Sequence, residues 1–170
     1  TMPCKGVSLH DKRRITEMLL RSGATIREIN SVRKHISGFK GGMLAKQAYP
    51  ATLISLILSD VIGDNLDVIA SGPTVPDSST FQDAIDILKR YNCWSNVSNS
   101  VKKVLLAGAT RSIAETPKLG DRVFEKVRNV VIGNNRLACL SAVQELRGRG
   151  MNAIFLTSSL EGEARDVGLV

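Results

Sequence analysis

A nearly continuous apolar run, ATLISLIL at residues 51–58, constrains the fold more than any other segment of this chain. Pro50 comes directly before the run and Ser59–Asp60 directly after it, which leaves too little length for a buried helix. A short apolar run that contains β-branched residues is typical of a strand covered by helices on both faces, as in a parallel sheet. We therefore expect an α/β fold.

Two later segments predict further strands of the same sheet. A second buried strand is expected at residues 128–132, followed by a turn at Gly133–Asn135 and a helix at 136–147, and a third strand is expected at 153–156. Strand, helix and strand at this spacing form a βαβ unit, whose crossover is right-handed. The predicted fold class is α/β, with a mostly parallel, Rossmann-like sheet that is flanked by helices and incomplete within this chain.

Capping motifs mark the starts of several helices. In each motif a serine or threonine is followed three residues later by an acidic residue, and apolar positions at helical spacing come next. The motifs are Ser8 with Asp11, Thr25 with Glu28, and Thr80 with Asp83. Three further helices are predicted. The first is short and ends at Tyr49, the second spans about 97–107, and the third begins at Glu161.

The composition limits the classes of function. The formal net charge is +7, and such a charge attracts anions. The basic residues are spread along the chain and do not alternate with aromatic residues that could stack on bases, which argues against nucleic acid and leaves phosphorylated small molecules as the other candidate. No apolar run reaches the roughly 18–20 residues of a membrane span. The three cysteines form no C-x-x-C pair, so we expect reduced thiols in a cytoplasmic protein.

Candidate site residues follow the first two predicted strands, where ligands bind in open α/β sheets. Asp60 begins a loop that also contains Asp64, and carboxylates there can hold Mg²⁺ or accept a hydroxyl proton. Asp60 can equally cap a turn. Gly133, Asn134 and Asn135 can present backbone N–H groups to a phosphate or carboxylate at a helix N-terminus, and a tight turn with asparagine at positive φ is the alternative. The sequence contains neither a dinucleotide fingerprint nor a P-loop motif.

A second set of candidates is cationic. Arg33, Lys34 and Lys40 lie close to Gly41–Gly42, where they can clamp an anion. Charged residues on a helix are also common as a solvated face, so that alternative stays open. The segment Ser71–Thr74 can place two hydroxyls near a ligand, or it can close a rigid loop.

Four segments together resemble the glycerate 2-kinase family of the MOFRL type, whose members are often labelled hydroxypyruvate reductase. The resemblance covers nearly the whole chain, and the S-D-V-x-G-D…A-S-G-P-T run is its long and specific part. The four segments are RSGATIREINSVRKHISGFKGGMLA (21–45), AYPATLISLILSDVIGDNLDVIASGPTVPD (48–77), VRNVVIGNNRLA (127–138) and LTSSLEGEAR (156–165).

The resemblance implies transfer of a phosphoryl group from ATP to D-glycerate, giving 2-phosphoglycerate, with Mg²⁺, on a two-domain α/β protein. The candidate catalytic residues are then Asp60 and Lys40, and the candidate metal ligands are Asp60 and Asp64. The candidate substrate- or phosphate-binding residues are Arg33, Lys34, Ser71, Thr74, Gly133, Asn134 and Asn135.

The sequence also departs from the family's pattern. Family members have a lysine in a G-K-A context and an S-G-G-G-S loop upstream, and a G-R-G-G-R-N-Q stretch downstream, and this sequence contains none of them. We therefore interpret residues 1–170 as an internal part of the N-terminal glycerate kinase domain, without the C-terminal MOFRL domain, and expect the chain alone to be inactive. The alternatives are an NAD(P)H-dependent hydroxypyruvate reductase and a non-catalytic basic α/β binding module. The oligomeric state stays open, with a homodimer as one option.

Overall fold

The computed structural model describes residues 2–162 and 164–169. The chain divides into two compact units. The first unit contains Thr1–Ser55 and Leu66–Arg128, and the second contains Leu56–Asn65 and Asn129–Val170.

Helices outnumber strands among the described residues. In chain order the elements are α1 (Leu9–Arg21), α2 (Ile26–His35), α3 (Met43–Ala48), β1 (Leu53–Ser59), α4 (Phe81–Arg90), α5 (Asn99–Ala109), β2 (Val127–Asn134), α6 (Asn135–Gly148) and α7 (Ala164–Val167). Single 3₁₀ turns lie at Ile62–Asp64, Ile69–Ser71, Trp94–Asn96 and Arg122–Phe124. No helix among the described residues is long and apolar enough to cross a membrane.

The three predicted capping motifs are confirmed as reciprocal capping boxes at the starts of α1, α2 and α4. At α1, the Ser8 hydroxyl accepts a hydrogen bond from the Asp11 N–H at 3.0 Å, and the Asp11 carboxylate accepts one from the Ser8 N–H at 3.2 Å. Each box satisfies backbone donors that a helix start leaves without an intrahelical partner. These helix starts are therefore determined by residues only three positions apart.

The apolar core of the first unit is built by α1, α2, α4 and α5. Leu19, Val32, Leu88 and Leu105 are fully buried, one from each of these helices. The closest approach is at Gly108 in α5, where an added Cβ would lie 2.1 Å from the Phe81 ring. This spacing lets α5 pack directly against the start of α4.

The strands β1 and β2 form a two-stranded parallel sheet. The expectation that β1 is buried on both faces is wrong, because every second side chain is exposed: Ile54 by 64%, Leu56 by 65% and Leu58 by 76%. Val130 and Ile132 of β2 are exposed in the same alternating way. An apolar run shows that a strand can be covered, but not which elements of the described chain cover it.

The third predicted strand, at 153–156, is wrong, since these residues form no strand in the structure. Phe155 instead lies under the Arg136 guanidinium of α6 at 5.9 Å, and the Ala153 carbonyl accepts a hydrogen bond from Arg147 Nε. Only Ala153 and Phe155 contact α6 in this way, while Ile154 and Leu156 are 73% and 88% exposed, and no neighbouring strand completes a ladder. The α/β class is confirmed at this level, with two strands among the described residues.

The turn predicted at Gly133–Asn135 is also wrong. β2 continues to Asn134, and α6 begins at the next residue, Asn135. Asn134 is extended (φ −149°) and its side-chain oxygen accepts the Leu137 N–H at 2.9 Å, so it caps the helix directly. The alternative of an asparagine at positive φ does not apply here.

Candidate functional site

Lys34 lies in the last turn of α2 and is held by two carboxylates. Its ammonium forms an ion pair with Asp67 and a second with Asp77 at 3.2 Å, and its side chain is only 4% exposed. It is therefore not part of a solvated helix face. The binding role predicted for Lys34 stays a prediction, and its charge is already balanced within the first unit.

Asp77 is the centre of this buried polar cluster. It accepts hydrogen bonds from the Ser79 and Thr116 hydroxyls at 2.7 and 2.9 Å, and His35 Nε2 lies 3.8 Å from its Oδ2. Burial opposes ionisation of Asp77, but the hydrogen bonds from Ser79 and the charge of Lys34 outweigh it, so its pKa lies below the usual value. His35 donates from Nδ1 to the Ser31 carbonyl at 2.8 Å, which agrees with a structural role.

Lys40 is buried against the second 3₁₀ turn, Ile69–Ser71, which with Gly72 forms the Ser71 loop. Its ammonium donates to the Ala70 carbonyl at 2.6 Å and to the Ser71 hydroxyl at 3.2 Å. The Ser71 hydroxyl donates in turn to Asn30 Oδ1 at 2.9 Å, and the same oxygen accepts from Arg33 Nη1 at 3.3 Å. Hydrogen bonds therefore join three predicted site residues, Arg33, Lys40 and Ser71, through Asn30.

The backbone of the Ser71 loop is held in an unusual conformation. Ala70, Ser71 and Gly72 have φ values of 52°, 62° and 60°, and left-handed conformations at the two non-glycine residues cost energy. The Gly41 N–H donates to the Ser71 carbonyl at 3.0 Å, and the Gly42 N–H donates to the Gly72 carbonyl at 2.7 Å.

The glycine pair thus docks on the loop, and Gly42 has no room for a side chain, because an added Cβ would lie 2.9 Å from Phe124 Cζ. Thr74, another predicted binding residue, follows this loop in the chain and is buried.

The charges near Lys40 are like charges. Burial, and then the positive charges of Arg33 and Lys12, lower the pKa of Lys40 to about 8. Burial, and then the charge of Arg33, lower the pKa of Lys12 to about 8, with a smaller opposing effect from Cys4. The pKa values of Lys12 and Lys40 are therefore both lowered by burial and by the positive charge of Arg33.

The second unit holds the residues that follow the strands. The turn after β1 is closed by Ser59, whose hydroxyl accepts from the Val61 N–H at 3.3 Å, rather than by Asp60. Asp60 is exposed and lines a hollow of about 710 Å³ together with Gly133, Asn134 and Asn135. The structure thus brings four predicted site residues to one hollow at the start of α6.

Asp64 lies in a neighbouring hollow of about 240 Å³ that Asn134 and Asn135 also line. Its carboxylate accepts a hydrogen bond from Asn134 Nδ2 at 2.6 Å, and Asn135 Nδ2 donates to the Ser158 carbonyl at 2.9 Å.

The part of the chain that the structure describes contains no group of three or more acidic, histidine or cysteine side chains that could hold a metal ion. Mg²⁺ carried by a nucleotide commonly takes one or two protein carboxylates. Asp60 and Asp64 line separate hollows, so their role as Mg²⁺ ligands stays a prediction.

Sequence reasoning missed Asn30 and Asp77 as members of these clusters, and it missed the charge of Lys12 near Lys40. The Ser71 hydroxyl is 41 residues from Asn30 in the chain, and the Lys34 ammonium is 43 residues from Asp77. The available signal was weak: Asn30 and Asp77 both lie inside the segments that carry the family resemblance, but Lys12 lies outside them.

Fold and site together define an α/β chain. Its first unit is helical and places positively charged side chains at a strained loop, and its second unit has a strand-to-helix junction lined by polar residues. The family model described as "Domain of unknown function (DUF4147)" matches residues 1–106, so the chain belongs to this domain family.

The chain is also similar to the glycerate 2-kinase of Pyrococcus horikoshii, with 46% identity over 99% of this chain and 37% of that protein. It is 45% identical to the D-glycerate 2-kinase of Thermotoga maritima, over 98% of this chain and 37% of that protein. A crystal structure of a Pyrococcus horikoshii OT3 protein superimposes with a TM-score of 0.80 at 46% identity, covering 99% of this chain and 38% of that one. The resemblance to glycerate 2-kinases is confirmed, and the chain spans little more than a third of their length.

Proposed function

We propose that this chain belongs to an enzyme that transfers a phosphoryl group from ATP to D-glycerate, giving 2-phosphoglycerate. The observation that carries the proposal is the grouping of Arg33, Lys40 and Ser71 around Asn30 in a chain about 45% identical to glycerate 2-kinases. Buried cations and hydroxyls are the groups that bind and orient a small oxyanion.

The domain placement and the wider fold are part of the same proposal. In this proposal residues 1–170 correspond to an internal part of an N-terminal kinase domain. The greater length of both relatives supports only that the chain is part of a longer protein. In the complete domain, β1 and β2 contribute to a larger, Rossmann-like parallel sheet. The exposed apolar side chains of β1 support this extension, since parallel strands are normally covered on both faces.

The roles of the strand-end residues follow from their chemistry. Asp60 accepts the proton of the glycerate hydroxyl while the hydroxyl oxygen bonds to the γ-phosphorus and the bond to the bridging oxygen of ADP breaks. The backbone N–H groups at Gly133–Asn135, at the start of α6, favour binding of a phosphate group. Mg²⁺ bound to the nucleotide neutralises phosphate charge, and Asp60 and Asp64 are the residues that would hold it.

A coupled assay of ADP release tests the reaction, with protein expressed from its complete gene and D-glycerate as substrate. We expect turnover that requires both ATP and Mg²⁺. Absence of ADP release together with NADH oxidation on hydroxypyruvate would establish the reductase instead. That alternative is less favoured, because the junction between β2 and α6 has no glycine-rich dinucleotide fingerprint.

Replacing Asp60 tests its role as proton acceptor. We expect Asp60→Asn to lower kcat by about 10²-fold or more, the usual contribution of general acid–base catalysis. The matched control is Asp86→Asn, which changes an exposed carboxylate on α4 and should leave kcat unchanged. Near-normal kcat in Asp60→Asn, with unchanged thermal stability, would leave Asp60 without a catalytic role.

A further inference from the structure

The carboxylate of Asp77 lies beside the backbone turn that follows Lys40. A Cβ added to Gly41 would lie 3.1 Å from Asp77 Oδ2 and 3.1 Å from the Cβ of Lys34, so these two side chains fill the space next to the glycine. The side chain of Asp77 is fully buried, and that of Lys34 is 4% exposed. Gly41 therefore lies against a buried ion pair, in a left-handed conformation (φ 59°) that favours glycine.

The same turn is joined to the Ser71 loop through both backbone and side chain. The N–H groups of Gly41 and Gly42 donate to carbonyls of the loop at 3.0 and 2.7 Å. The ammonium of Lys40 donates to another carbonyl of the loop at 2.6 Å and to the Ser71 hydroxyl at 3.2 Å. A displacement of Gly41 would therefore change how Lys40 and Ser71 lie relative to each other.

Asp77 is fixed by contacts on its other side. Its N–H donates to the Pro117 carbonyl at 2.9 Å, and its carboxylate accepts from the Ser79 and Thr116 hydroxyls. A buried ion pair is costly to desolvate and is weak evidence for net stability, whereas it can fix one arrangement of the groups around it. The pair of Asp77 with Lys34 has the placement for such a role, because Lys34 directly follows Arg33 in α2.

We propose that Asp77 is a positioning residue for the predicted oxyanion-binding groups Arg33, Lys40 and Ser71. Its carboxylate holds Lys34 and supports Gly41, and Gly41 keeps the Ser71 loop in place against Lys40. Asp77 touches no reactant and takes no part in proton transfer. The identity of the reactants, D-glycerate and MgATP, rests on the function proposed above, whereas the link from Asp77 to the loop does not.

Hydrogen exchange measured by mass spectrometry on protein from the complete gene tests the link without any turnover. In Asp77→Asn we expect the peptide that contains Gly41 and Gly42 to exchange about tenfold faster or more, because local opening of the turn becomes easier. The fold should be retained, since Asp67 still pairs with Lys34. Wild-type exchange of this peptide in Asp77→Asn would overturn the inference.

The matched control for the loss of charge is Glu115→Gln. The Glu115 carboxylate also lies beside His35, but it accepts hydrogen bonds from His35 and from the Phe81 N–H. Its replacement should destabilise the fold while the peptide that contains Gly41 and Gly42 exchanges as in the wild type. Equally fast exchange of this peptide in Glu115→Gln and Asp77→Asn would assign both carboxylates a general structural role and contradict the proposal.

Steady-state kinetics distinguish positioning from a purely structural role. Loss of geometry in a binding site raises KM, whereas partial unfolding lowers the apparent kcat and leaves KM unchanged. We expect Asp77→Asn to raise the KM for D-glycerate or for MgATP by about tenfold, as for loss of one well-placed hydrogen bond to a charged group, with a smaller change in kcat. Glu115→Gln should keep the wild-type KM for both. Unchanged KM values in Asp77→Asn would contradict the positioning role.

A second pair of variants alters the turn without changing any charge. Gly41→Ala places a Cβ against Asp77 and Lys34 and should raise exchange and KM in the same way as Asp77→Asn. The control is Gly23→Ala, since Gly23 also has a positive φ (79°) but an added Cβ there meets nothing within 4 Å. Gly23→Ala should keep the wild-type KM. Equal rises in KM in the two alanine variants would show that backbone strain alone is responsible, against the inference.

The two readouts separate this inference from the proposed function. A wild-type protein that shows no kinase turnover contradicts the function, and faster exchange at Gly41 and Gly42 in Asp77→Asn then still supports the link from Asp77 to the Ser71 loop. Normal turnover of the wild type, together with unchanged exchange and unchanged KM in Asp77→Asn, overturns the inference alone.

Discussion

The two units of this chain bury their apolar residues to very different extents. Among the described residues of the first unit, fifteen buried side chains from α1, α2, α4, α5 and the connecting segments form one continuous core. In the second unit, Leu56 and Leu58 of β1 and Leu137 of α6 remain exposed, and α6 has no buried residue. Similar apolar patterns in the sequence therefore lead to different degrees of burial.

This difference in apolar burial indicates which unit contributes most to the stability of the isolated chain. Burial contributes roughly 25 cal/mol for each Å² of apolar surface, so a side chain that stays exposed contributes little. Four helices that enclose a common core make the first unit the more stable part. The polar residues of the second unit are held mainly by local hydrogen bonds, such as those from Asn134 to Asp64 and to the start of α6.

The largest difference in the free energy of unfolding is expected between alanine substitutions of two helical glycines, one in each unit. Gly108→Ala places a Cβ about 2.1 Å from the Phe81 ring and should lower the free energy of unfolding by about 3 kcal/mol, the cost of overpacking a core. Gly148→Ala, at the end of α6, meets nothing within 4 Å and should raise it by about 0.5 kcal/mol through helix propensity. Urea unfolding followed by far-ultraviolet circular dichroism, which reports helices of both units, measures both. Equal effects at the two positions would contradict the inference that the first unit is tightly packed and the second is not.

A second contrast concerns acid stability. Burial opposes ionisation of Glu115, but hydrogen bonds from His35 and from the Phe81 N–H lower its pKa to about 2. Because this folded-state pKa is below the unfolded value of about 4.3, the stabilisation is present above about pH 4 and is lost as the pH falls toward 2. Glu115→Gln should therefore flatten the fall in urea midpoint over this range.

The matched variant in the second unit is Glu145→Gln. Glu145 and Arg149 form an exposed ion pair along α6, with side chains 66% and 67% exposed, and such pairs contribute little. The pH profile of Glu145→Gln should overlay that of the wild type. If the pH profile of Glu115→Gln also overlays that of the wild type, the His35–Glu115 contact does not stabilise the fold.

The smallest effect is expected on the open face of β1. Leu58 is 76% exposed, so Leu58→Ala should change the free energy of unfolding of this chain by about 0.5 kcal/mol or less. Leu88→Ala in α4, where the side chain is fully buried, should cost about 3 kcal/mol. If Leu58→Ala costs 2 kcal/mol or more in protein from the complete gene, another part of that protein covers this face.

The sequence alone determined the features that depend on neighbours a few residues apart. The helix starts after Ser8, Thr25 and Thr80 follow from side chains that bond to backbone groups three positions along the chain. The run at 51–58 predicted β1 because its apolar, partly β-branched residues are too tightly bounded to form a buried helix. The family motifs also indicated which loops contain the candidate site.

Only the tertiary structure decided the rest. It showed that residues 153–156 form no third strand and contact α6 only through Ala153 and Phe155, that one face of β1 is open, and that β2 runs straight into α6. It also joined Arg33 to Lys40 through Asn30 and Ser71, and it paired Lys34 with Asp77. The physical reason is sequence separation: Asp77 meets Lys34 across 43 residues, and no local pattern records which distant side chain folding will bring to a buried charge.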